Sequence, residues 1–75
     1  MSLTLDLPQA ERVCFEILDV AGRRVWTETR AAVAGATVLR WHGRDAQACT
    51  LPSGVYLARV QAGGAAFVRR VALLR

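Results

Sequence analysis

Four residues able to do chemistry lie within eight positions of one another: His42, Arg44, Asp45 and Cys49. A Cys-His or His-Asp pair in such a stretch could serve nucleophilic catalysis, with the imidazole as base. That chemistry also needs a third group to orient the base and donors to hold an oxyanion. The sequence offers neither, and His42 follows a strand whose Trp41 points inward, so His42 should face solvent. Asp45 with Asp19 and Glu16 could be imagined around calcium. Calcium needs six or more oxygens, usually from carboxylates close in sequence, and only Asp45 lies in this stretch. The simpler role for Asp45 is to accept hydrogen bonds from backbone N–H groups two residues on. The doublets Arg23-Arg24 and Arg69-Arg70 could hold phosphate or an acidic polymer. Adjacent residues of a strand project to opposite faces, however, so a doublet is not a double contact. Cys14 and Cys49 lack metal-ligand spacing and are expected as free thiols. No catalytic, cofactor-binding or metal-ligating residue is assigned, and no cofactor is implied.

Composition narrows the classes further. A chain of 75 residues leaves roughly 60% of its unfolded surface to bury, a thin core with little room for a deep dry cavity. Hydrophobic content of 53% is too high for a disordered tail. The net charge is +4, and all ten basic residues are Arg. They are spread along the chain, whereas nucleic-acid binders cluster them with aromatics interleaved. Arg without Lys reads first as the mark of a GC-rich genome. Residues 1–8 have no basic start before an apolar run, so no signal peptide is visible, and no apolar run approaches the ~20 residues of a membrane span.

The elements that must position these residues alternate with period two. Leu3, Leu5 and Leu7 form a strand that Pro8 ends. Val13, Phe15 and Ile17 face the core in the next, with Glu16 marking the solvent side. Asp19-Val20-Ala21-Gly22 turns the chain. Arg23–Arg30 follows, with Val25 inward and Trp26 on the other face. Ala31–Ala36 reads as a loop or short crossing anchored by Val33. A strand over 37–41 ends on an inward Trp41. The stretch Trp41–Tyr56 then carries the chain to a strand over 55–62, with Tyr56, Ala58 and Val60 inward. Gly63-Gly64 signals a two-residue hairpin into a last strand over 66–74, where Val71 and Leu73 point in. The predicted core adds Leu39 to these. The fold class is all-β: a small immunoglobulin-like sandwich of about six to seven antiparallel strands, one domain over 1–75.

Four motifs stand in order: Phe15–Val25 with its Asp19-x-x-Gly22-Arg23 turn, Trp41-His42-Gly43-Arg44-Asp45, Pro52-Ser53-Gly54-Val55-Tyr56, and the closing Arg70–Arg75. In that order and spacing the chain resembles the immunoglobulin-like domain of the flagellar hook-capping protein family, which is related to the C-terminal sorting domains of type IX secretion. The resemblance covers about Leu3 to Arg75. It departs at His42, where the family tends to Asp or Asn, and at Ala48, where a Gly usually closes the turn. An Ala with positive φ there would cost around 1 kcal/mol. The start at Met1 falls inside the family's first strand, which fits a fragment of a longer protein.

What the resemblance implies is a non-catalytic C-terminal module of an exported bacterial protein. Its role would be secretion sorting, cell-surface attachment or spacing, and its location secreted or on the cell surface, with the export signal outside this chain. Partners would be the preceding domain of the same protein or the secretion and surface machinery, with other protein subunits as a further possibility. No specific nucleic acid and no membrane span are expected. The alternatives are a structural assembly module, as in the hook cap, and a small glycan- or polyanion-binding domain.

Overall fold

The computed structural model describes residues 2–74. Six strands follow one another: β1 (Ser2–Leu7), β2 (Glu11–Leu18), β3 (Arg24–Ala32), β4 (Gly35–Arg40), β5 (Gly54–Ala62) and β6 (Ala65–Leu73). They form two antiparallel sheets, β1-β4 and β3-β2-β5-β6. The small sheet covers the inner face of the large one. The class expected from the alternation is therefore the class found. Met1 and Arg75, the latter the last residue of the closing motif, lie outside the described residues.

Each strand alternates because one face meets the other sheet and one does not. The buried core is Leu7, Val13, Phe15, Ile17, Leu39, Trp41, Tyr56, Ala58 and Val60, all expected from the pattern. Leu5, Val25, Val71 and Leu73, also expected there, are half-buried against it. Val25, Val71 and Leu73 lie on the edge strands β3 and β6, which the two-stranded sheet is too narrow to cover, and Leu5 lies on β1 of that narrow sheet itself. Gly63-Gly64 makes the two-residue turn, with Ala62 and Ala65 as its flanking pair.

Three readings need correction. Ala31–Ala36 is mostly strand, because β3 runs through Ala32 and β4 begins at Gly35, and the crossing between sheets is only residues 33–34. Val33 anchors nothing and is 76% exposed. A run of alanines conceals period two because inward and outward residues are the same type. Gly35 makes the passage between sheets at φ +106°, a conformation that glycine adopts without steric cost.

Trp26 does not lie on the face away from the core. Ile17 pairs with Trp26 but Leu18 pairs with Arg24, so Val25 is the extra residue of a β-bulge. The bulge resets the alternation, and both Val25 and Trp26 reach the core. The Trp26 ring meets Phe15 edge-on, centroids 5.4 Å apart.

Glu16 does point to the outer face of β2, but it is not solvated. It is 4% exposed, because Arg24 and Arg59 from the strands on either side lie across it.

Candidate functional site

The crossing between Trp41 and Tyr56 holds the residues with chemical potential. Trp41 is 2% exposed and packs its ring against Tyr56, centroids 5.4 Å apart at 63°. Its indole N–H donates to the Arg44 carbonyl at 2.9 Å. The Tyr56 hydroxyl donates to the Pro52 carbonyl at 2.7 Å, so the phenol ties its own strand to the end of the loop, as in a tyrosine corner. One ring thus plugs the core from each end of the crossing.

Between them the loop folds on itself. Arg44 and Thr50 form an antiparallel bridge, and the Leu51 amide donates to the Gly43 carbonyl at 3.0 Å. Oδ1 of Asp45 accepts from the amides of Gln47 at 3.0 Å and Cys49 at 2.9 Å. The Asp45 amide donates to the Cys49 carbonyl and the Ala48 amide to the Asp45 carbonyl. Ala48 closes this turn at φ +64°, where the resemblance placed a glycine. The Ala46 amide reaches the Val25 carbonyl at 3.1 Å and fastens the loop to the bulge of β3.

The turn after β2 repeats the pattern. Oδ1 of Asp19 accepts from the amides of Ala21 and Arg23, and the backbone bonds 19–23 and 22–19 match those of 45–49 and 48–45. Gly22 holds the positive-φ place at +85°. The Arg23 amide, first, and the Ala21 amide hold the Asp19 carboxyl below its usual range.

These bonds decide the chemistry. Asp45 turns its carboxylate to loop amides and none of it to an imidazole. His42 is exposed, and Cys49 is exposed as a free thiol. Neither is hydrogen-bonded to the other, so the triad that the spacing allowed is not assembled. Cys14 is also free, half-buried on β2. Among the described residues no group of three or more His, Cys, Asp or Glu could hold a metal ion. Beside the loop a shallow groove of about 540 Å³ runs between the edges of β3 and β4, past Trp26, Arg40 and His42. Arg30 lines it as well, donating to the Val38 carbonyl and to Thr37 Oγ1.

One cluster escaped the reading of the sequence. Glu16 Oε1 accepts from Arg59 Nε at 2.9 Å and Nη2 at 2.6 Å, and Oε2 accepts from Arg24 Nη1 at 3.1 Å. The Arg59 bonds, ahead of the opposing cost of burial, lower the Glu16 pKa. The signal was available in the register: Glu16 and Arg59 are both outer-face residues of adjacent central strands, directly opposed. Reading Glu16 as a solvent marker hid it.

The two facing antiparallel sheets, the Trp–Tyr plug and the tyrosine corner define an immunoglobulin-like sandwich whose crossing loop is spent on the fold. The chain belongs to the FlgD Ig-like domain family, whose model matches residues 1–66, a structural and non-catalytic class of domain. The match stops within β6, short of the closing stretch 70–75 that the resemblance included. No curated protein and no solved structure matches the chain.

Proposed function

We propose that the chain is a non-catalytic assembly module of an exported bacterial protein, of the hook-cap type, holding its parent in place against other protein subunits. The observation that carries this reading is the family match over residues 1–66. The crossing loop supports it, since its Trp, Asp and Tyr are spent on the fold. Its partners on this reading are the preceding domain of the same protein and neighbouring subunits. Its place on this reading is outside the cell or on its surface. Sorting through type IX secretion rests on the resemblance alone, whereas assembly has the family match as well.

The experiment replaces the module, in its parent gene, with an unrelated immunoglobulin-like domain of similar size. Export, subunit assembly and any activity of the parent are then measured separately. Loss of assembly with export and activity intact is the expected result. Assembly that survives the swap would contradict the proposal. Loss of export alone would transfer the role to sorting.

A further inference from the structure

The outer face of the four-stranded sheet concentrates the charge of the chain. The registers place Arg12, Arg24, Arg59 and Arg70 on it, against the single carboxylate of Glu16. That leaves three net positive charges on one face of a chain whose total is +4. The outer face of β1-β4 carries one Asp6 and one Arg40 and is balanced. The excess is therefore not a general property of the surface.

Between Arg24 and Arg70 the face is aliphatic, while Thr27, Thr29 and Gln61 lie on the side towards Arg12. Val55 and Val68 are 43% and 56% exposed, and Leu18 and Leu57 sit half-buried as direct partners on adjacent strands. Glu16 fixes the middle of this face. By holding Arg24 and Arg59 it sets their guanidinium planes before any partner arrives, while each keeps N–H groups that Glu16 does not take. Pre-set forks lose less side-chain entropy on meeting a carboxylate.

From this we infer that the outer face of β3-β2-β5-β6 docks a protein surface whose carboxylates flank an apolar strip. Charge complementarity selects the acidic partner, and the aliphatic strip selects a protein over a phosphate polymer. Single-stranded nucleic acid would need aromatic platforms for its bases. Phe15, Trp41 and Tyr56 are buried in the core, and Trp26 and Phe67 pack against it from the inner side. The inference deepens the assembly reading and rests on it only in requiring that a partner exist.

The test is an amide-resolved NMR titration of the whole chain with a short peptide of alternating Glu and Val, at ~20 and ~150 mM salt, which changes the screening length. Shifts should fall on β2, β5 and β6 and weaken at the higher salt. The double variant Arg12→Glu/Arg70→Glu removes two cations that make no ion pair among the described residues, so the fold should keep its melting midpoint. It should weaken the peptide at least about tenfold, close to 1.4 kcal/mol. Val68→Ser should weaken it about threefold, and should not change binding of oligo-dT. Shifts confined to the Trp26–His42 groove, no shift at low salt, or oligo-dT binding tighter than the peptide would each overturn the surface assignment. Should the module swap leave assembly intact while the peptide still binds here, the functional reading fails and this surface stands.

Discussion

Gly22 and Ala48 occupy the same position in two turns with the same hydrogen-bond pattern. Each follows an Asp by three residues, each has positive φ (+85° and +64°), and each Asp caps the amides two and four residues on. The left-handed conformation costs an L-residue roughly 1–2 kcal/mol. Glycine avoids that cost but loses about 0.5–1 kcal/mol through its freer unfolded chain. Ala48→Gly should therefore stabilise the domain by about 0.5–1 kcal/mol, read as a higher denaturant midpoint with unchanged slope. Gly22→Ala should lose a similar amount. No heavy atom lies within 4 Å of the added Cβ at Gly22, so that loss isolates the backbone conformation from any clash. Equal midpoints for Ala48→Gly and the parent would show that the turn strain is absent.

Glu16 sets the response to acid. Its folded pKa is lowered from the usual 4.5, so its contribution is complete above about that pH and is lost as pH falls through the folded value. Asp19, lowered from 3.8 chiefly by the Arg23 amide, acts in the same direction at lower pH. Stability should thus fall on acidification below pH ~4.5. Glu16→Gln should cost roughly 1–2 kcal/mol at neutral pH, kept modest because Arg59 and Arg24 are 43% and 61% exposed and screened by water. The variant should also flatten the acid limb of a stability–pH curve. A curve of unchanged shape would mean that Glu16 is not the titrating group.

The tyrosine corner can be separated from the ring it carries. Tyr56→Phe keeps the contact with Trp41 and removes the hydrogen bond to the Pro52 carbonyl. The expected loss is about 1 kcal/mol, with faster amide exchange at residues 53–55. A variant as stable as the parent would show that water replaces the bond at no cost.

Much of this fold was legible in alternation. The buried core residues and the Gly63-Gly64 hairpin are period-two or turn-residue statements, and burial on one face enforces them. What stayed hidden has specific causes. The bulge at Val25 adds a residue that sequence alone does not mark, so plain alternation puts Trp26 on the outer face. The alanines of 31–36 carry no contrast between faces. Glu16 was read from its charge alone, whereas its burial depends on Arg59, 43 residues away in sequence. In the crossing loop, Asp45 as a turn cap and Ala48 at positive φ were both readable, because short-range turn chemistry is local.

Trp41–Tyr56 holds the two sheets together through its two rings, and the exposed side chains of His42 and Cys49 should add little to that hold. Equilibrium unfolding of Trp41→Ala beside the double variant His42→Ala/Cys49→Ser measures it. Trp41→Ala should lose about 3–5 kcal/mol, enough to unfold a domain near the low end of ordinary stability, about 5 kcal/mol. The His42/Cys49 variant should keep its midpoint within about 0.5 kcal/mol. A stable Trp41→Ala, or a His42/Cys49 variant that unfolds, would contradict that role for the crossing.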